Sequence, residues 1–231
     1  MPYATSLRMS HFGYQNTSQS NIEVSLNSMS EYVNDLFLLT NTKSSKFENS
    51  NLEDLSDLPQ LNDNQLQIED EYYATSRPKS ESIRDIRPLS KLKKFGVDYI
   101  ELRSLDIDPW ASTGIENNTM KFLEAFILSA MLSPSPKLSK YDYQEIKSND
   151  LLVATKGRKK GLNLKKSKKI IDLESWGIEI LESMDPYFEI LNVSQNEREV
   201  YYHQMRDPEL TKSGIFLSKT LDQGIELREF S

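Results

Sequence analysis

Residues 97–110 read VDYIELRSLDIDPW, and the alternation from Val97 to Leu105 decides what kind of fold this chain builds. Successive side chains of a strand point to opposite faces, so Val97, Tyr99, Glu101 and Arg103 share one side and Ile100, Leu102 and Ser104 the other. The spacing predicts a strand with a chemically rich polar face. Glu101 and Arg103 stand two residues apart, which puts their Cα atoms about 6 to 7 Å from each other and lets both reach one ligand. The same pattern also fits an exposed face carrying a weak ion pair.

Upstream, Leu66 to Tyr73 shows a similar alternation, with Leu66, Ile68, Asp70 and Tyr72 against Gln67, Glu69, Glu71 and Tyr73, and predicts a second strand with a wet, acidic face. Pro78, which cannot donate to a ladder, breaks that pattern. Asn41 to Asn64 is rich in Asn, Ser, Asp and Glu and predicts a long surface loop. Leu26, Met29, Val33 and Phe37 predict one amphipathic helix within Asn21 to Thr40. Downstream, Glu116 to Leu132 predicts a buried helix stopped by Ser133-Pro134-Ser135-Pro136. The stripe Leu173, Trp176, Ile180, Met184, Phe188 and Leu191 predicts another, disturbed at Pro186. The expected organisation is an active-site half over 1–115 and a mainly helical region over 116–231, an α+β chain.

Composition narrows the chemistry. The 231 residues carry a formal net charge of -7, which argues against a general nucleic-acid binder. The absence of cysteine excludes disulfides, thiolate zinc sites and a cysteine nucleophile within this sequence, and two histidines exclude a histidine-rich metal cage. The run KGRKKGLNLKKSKK at 156–169 holds eight Lys or Arg and no acid in 14 residues and is expected as a solvated loop. It lacks Walker spacing, and no G-x-G-x-x-G occurs anywhere. MPYATSLRMSHFGYQNTSQS has no apolar run of signal-peptide length, and the greasy stretch Met120 to Leu132 is only 13 residues interrupted by Lys121 and Glu124. No membrane span is expected, and the cytoplasm is the expected location. Chemistry run by carboxylates, arginines and tyrosines is what remains.

Four segments in order, YATSLRMSHFGYQN at 3–16, LQIEDEYYATSRPK at 66–79, VDYIELRSLDIDPW at 97–110 and GRKKGLNL at 157–164, together resemble the carboxyl-terminal half of the proteobacterial type of glutamate-cysteine ligase. The resemblance implies part of a glutamine-synthetase-like antiparallel active-site sheet backed by helices. It implies ATP-dependent ligation of L-cysteine to the γ-carboxylate of L-glutamate through an acyl phosphate, the first step of glutathione biosynthesis, with Mg2+ holding the nucleotide. On the family's pattern Glu101 matches a magnesium ligand and Arg103 an arginine that contacts the transferred phosphoryl. Arg8, Tyr14 and Tyr73 match positions around the incoming amino acid, where a guanidinium and phenol hydroxyls can hold a carboxylate. Relatives continue well upstream of Met1, so the resemblance implies a missing amino-terminal half as partner. A ligase with another amine acceptor, and an inactive binding or regulatory module using the basic block, stand as alternatives.

Overall fold

The computed structural model describes residues 1–13, 19, 22–44, 61–81 and 86–222. Packing groups the chain into two compact units, Gln15–Ser104 and Met1–Tyr14 with Leu105–Ser231. These contact-defined units are drawn differently from the 115/116 division, which rests on where the helical region begins.

In the unit Gln15–Ser104, helix α1 spans Met29–Leu39. It starts late within the expected 21–40 range because Ser28 caps it, its hydroxyl accepting from the Glu31 N–H. Leu26 therefore lies before the helix, and the buried stripe is one step round from the expected one. Tyr32 and Leu36 are buried, with Met29 and Val33 beside them, whereas Leu26 and Phe37 are exposed. Those four positions, 29, 32, 33 and 36, fall on one face of a 3.6-residue helix.

The expected strand at Leu66 to Tyr73 does not form. Instead Glu69–Glu71 makes a turn of 3-10 helix. The Glu71 N–H bonds the Ile68 carbonyl at 3.2 Å, and the Glu71 carboxylate takes the Gln67 N–H at 2.6 Å, so acidic side chains capture backbone that a ladder would have used. Leu66 is fully buried against α1 and donates its N–H to the Leu39 carbonyl at 3.1 Å. The described ends of the Asn41 to Asn64 segment are drawn together by a Lys43–Asn64 bridge and a 2.8 Å Lys43–Asp63 ion pair.

Two strands close this unit, β1 over Ser76–Lys79 and β2 over Tyr99–Leu102. Between them lies helix α2, Pro88–Phe95, which the sequence reading missed despite its signals: Pro88 in the first turn and Gly96 at φ 84 after the end. Leu89 and Leu92 of α2 join Val24, Tyr32, Leu36 and Leu66 in one core.

Among the described residues, the unit containing Leu105–Ser231 is built of helices and one hairpin. Helix α3 spans Asn117–Leu132, α4 Lys140–Lys156, α5 Leu173–Ile190, α6 Gln195–Arg206 and α7 Lys212–Asp222. Capping boxes open α4 and α6, pairing Ser139 with Asp142 and Ser194 with Glu197. Helix α5 runs through Pro186 to Ile190, and its Leu181, Met184 and Phe188 pack with Ala125 of α3 and Val193. Only one face of α3 is covered: Ala125 and Ser129 are buried, while Met120, Phe126, Met131 and Leu132 are exposed.

The basic run is the expected loop only in part: 157–162 forms turns with Lys159 and Lys160 exposed, and the remainder does not stay a loop. From Asn163 it enters strand β3, Asn163–Lys166, which pairs antiparallel with β4, Lys169–Asp172. No described helix is long and apolar enough to cross a membrane.

Candidate active-site ribbon

Strands β1 and β2 pair antiparallel, with Arg77 opposite Glu101 and Lys79 opposite Tyr99. Directly opposed residues share a face, so Arg77, Lys79, Tyr99 and Glu101 lie on one side, as the alternation of residues 97–105 predicts. The Arg103 N–H extends the ladder by donating to the Thr75 carbonyl at 2.8 Å. Arg103 Nε then meets Glu101 Oε1 at 3.0 Å. The strand itself is shorter than predicted, but the two residues meet as the spacing requires.

Glu101 Oε2 is buried and has no hydrogen-bond partner. A carboxylate oxygen in that state is costly unless a cation or a donor meets it, and a hard divalent cation is a natural match. Glu101 therefore fits as a magnesium ligand. Among the described residues no cluster of three or more acidic or histidine side chains could hold a metal ion, so the remaining ligands would be phosphate oxygens or groups beyond these residues.

The same face is anchored at its far end. Arg77, 5% exposed, bonds the Asp70 carboxylate at 2.7 Å and the Asp70 carbonyl at 3.3 Å, while Lys79 reaches the same carboxylate oxygen at 2.9 Å. Burial raises the Tyr32 phenol above its ordinary value, with Arg77 opposing. Burial also pushes the Asp70 carboxyl up, but Lys79 and then Arg77 outweigh it and hold the group below the usual range. These anchors had only a weak sequence signal, because an Arg-Pro-Lys run reads equally well as a surface turn.

Tyr73 sits half-buried in the segment leading into β1. The amide of Gln19 fixes it from both sides: its oxygen accepts from the Tyr73 N–H at 2.9 Å and its nitrogen donates to the Glu71 carbonyl at 2.7 Å. Tyr73, Glu101 and Arg103 thus belong to one unit. Arg8 belongs to the other, and Tyr14 falls outside the described residues.

Arg8 stands in a loop gripped by one carboxylate. Asp106 accepts the Leu7 N–H at 3.1 Å, the Arg8 N–H at 2.8 Å and the Ser6 hydroxyl. Sequence reading missed this clamp, because an aspartate that serves backbone looks like any other in SLDID.

The glutamate-cysteine ligase family model matches residues 1–153. The chain is 35% identical to a glutamate–cysteine ligase of Shewanella amazonensis over its full length and 34% identical to that of Shewanella pealeana. It superposes at a TM-score of 0.83, with 31% identity over 93% of its length, on the crystal structure of the Francisella tularensis glutamate–cysteine ligase in complex with AMP. A bifunctional glutathione synthetase from Pasteurella multocida shares the fold, at a TM-score of 0.64 and 20% identity. With α helices and small antiparallel sheets, the α+β architecture is the one that fold defines.

The chain belongs to the glutamate-cysteine ligase family. It spans 44% of the length of the Shewanella amazonensis and Francisella tularensis proteins.

Proposed function

We propose that the chain is the carboxyl-terminal part of a cytoplasmic ligase that joins L-cysteine to the γ-carboxylate of L-glutamate at the expense of ATP, and that it acts with an amino-terminal half. The observation that carries this reading is the Glu101–Arg103 pair on a two-stranded ribbon, with Glu101 Oε2 buried and unpartnered, in a chain of this family. The ribbon would be part of a larger antiparallel active-site sheet.

ATP with Mg2+ would supply the phosphoryl group that turns the γ-carboxylate into an acyl phosphate, which the cysteine amine then displaces. Glu101 would hold the metal through Oε2. Arg103, a planar cation that stays charged throughout, would lie against the phosphoryl oxygens as charge spreads over them. Its bond to Glu101 fixes the guanidinium beforehand, so little reorganisation accompanies the transfer. Tyr73, with Arg8 and Tyr14, would hold the carboxylate of the incoming amino acid.

The test is to express the chain with the amino-terminal half of a relative and to measure phosphate release with glutamate, cysteine and ATP. Turnover is expected only with both parts. In that complex Glu101→Gln lowers kcat by about 100-fold and shifts the Mg2+ dependence to higher concentration. Tyr73→Phe mainly raises the cysteine KM. An unchanged magnesium dependence in the first variant would sink the role of Glu101, and a folded complex without turnover would sink the ligase reading. Cysteine, alanine and 2-aminobutyrate in competition decide whether the acceptor is cysteine or another amine. An inactive module that meets an acidic partner through the basic run is the alternative reading: Lys159, Lys160 and Lys165 are exposed, and a salt-sensitive interaction lost on neutralising them would favour it.

A further inference from the structure

Within the unit Gln15–Ser104, the segment that ends in Tyr73 is held by one buried side chain, that of Gln19, which is 8% exposed. We propose that Gln19 is the residue that positions Tyr73 for the carboxylate of the incoming amino acid, and so sets how tightly the amine acceptor binds. The inference rests on the ligase reading above and goes further by assigning Tyr73 a residue that aims it.

Among the described residues no strand pairs with 71–73, and Gln19 stands in for one. A primary amide carries the same acceptor and donor as a peptide group. The Gln19 oxygen accepts from the Tyr73 N–H at 2.9 Å and its nitrogen donates to the Glu71 carbonyl at 2.7 Å. One side chain thus bonds the carbonyl before Tyr72 and the N–H after it, as a residue of a parallel strand would. A buried amide is costly unless paired, and both of these bonds go to the backbone that carries Tyr73.

The consequence is directional. Tyr72 is extended, at φ −61° and ψ 119°, and successive side chains of an extended chain leave on roughly opposite sides. Tyr72 packs against the core of Val24, Tyr32, Leu36 and Leu66, so Tyr73 is turned away from that core.

The mount is itself fixed at both ends. The Gln19 carbonyl accepts from the Ile22 N–H at 2.9 Å, and Ile22 packs against the same core. At the other end the Glu71 carboxylate takes the Gln67 N–H at 2.6 Å, and Arg77 donates to the Asp70 carbonyl at 3.3 Å. A phenol that has to meet a carboxylate gains from such a frame, because an orientation fixed beforehand is not lost again on binding.

The test uses the complex of the chain with the amino-terminal half of a relative. Gln19→Met keeps the length and removes both bonds. It is expected to raise the cysteine KM about tenfold, while kcat and the KM values for glutamate and ATP change less than about threefold. A general loosening of the fold would move all of them together. In the Tyr73→Phe background the same replacement is expected to raise the cysteine KM less than about twofold, because the hydroxyl it positions is already gone. An unchanged cysteine KM, or an equally large effect in the Tyr73→Phe background, overturns the inference. Should Gln19→Met fail to assemble, Gln19→Glu decides: it keeps the length but sets an oxygen without a proton against the Glu71 carbonyl. A raised cysteine KM there supports the inference and an unchanged one overturns it. A complex of unaltered sequence that never turns over overturns the ligase reading and this inference together, whereas turnover with an unmoved cysteine KM in the variants overturns this inference alone.

Discussion

The β1–β2 ribbon and the β3–β4 hairpin are both antiparallel pairs of four-residue strands, yet charge holds them together in different ways. In the hairpin a single buried acid serves backbone. Glu145 of α4 takes the N–H groups of Ser167 and Lys168 at 2.8 and 3.1 Å, and Asn149 bonds Lys165 twice, once through each amide atom. In the ribbon, whose strands are separated in sequence by α2, acids serve side chains: Asp70 gathers Arg77 and Lys79, and Glu101 meets Arg103. A dense run of lysines can therefore be an ordered hairpin, while a sparser one carries the candidate chemistry.

The largest way to break that contrast is Arg77→Met. The replacement keeps much of the volume but removes the bonds to the Asp70 carboxylate and carbonyl from a side chain that is 5% exposed. A loss of about 2–3 kcal/mol is expected in urea unfolding, the worth of charged hydrogen bonds lost from a buried guanidinium whose partner Asp70 is half exposed and keeps Lys79. A loss below about 1 kcal/mol would mean that the ribbon is held by the core of α1 and α2 instead.

Glu145→Ala addresses the hairpin and is expected to lose about 2 kcal/mol, the worth of charge-assisted bonds to two backbone donors that are exposed enough for water to replace. Amide exchange should rise at Ser167 and Lys168 first. Protection that is unchanged there would mean that Asn149 alone docks the hairpin.

The ribbon also answers to acid. The Asp70 carboxyl is held below its ordinary 3.8 despite burial, because Lys79 and Arg77 favour its ionised form. A group whose folded pKa is depressed contributes stability that is complete above its unfolded pKa and is lost as pH falls through the folded one. Amide protection of β1 is thus expected to be level down to pH 3.8 and to decline below it, and Asp70→Asn should flatten that decline. A decline that survives Asp70→Asn would assign it to another carboxyl.

The same contrast explains what the sequence let one read. Residues 97–105 and 66–73 alternate alike, but only the first lies opposite a partner strand; in the second, Glu71 captures the Gln67 backbone and Asp70 turns to Arg77. Alternation reports faces and is silent on pairing, so Glu101 and Arg103 were legible as neighbours while their support by Asp70 and Arg77 was not. The α3 and α5 helices were legible because long apolar periodicity has few competing forms. Gln19, Asp106 and Arg158 were hidden because polar side chains that serve backbone leave no periodic trace. The left-handed pair Ser167–Lys168 was hidden too, since neither residue is the Asn or Gly that usually marks such a turn.

That turn supplies the smallest test. Ser167 and Lys168 hold φ of 51° and 66°, a conformation that costs L-residues without the turn chemistry of Asn-Gly. Lys168→Gly removes that cost, about 1 kcal/mol, but also removes the lysine charge 5.3 Å from the Tyr141 ring, worth about 0.5 kcal/mol at an exposed site. Ser167→Asn has no such opposing loss. The double replacement is expected to stabilise the chain by about 0.5–1 kcal/mol and to raise the melting temperature by a few degrees. In the Glu145→Ala background the gain should persist, because relief of backbone strain does not depend on the acid that caps the turn. A gain that vanishes there would show that Glu145, and not the conformational preference of the two residues, selects the turn.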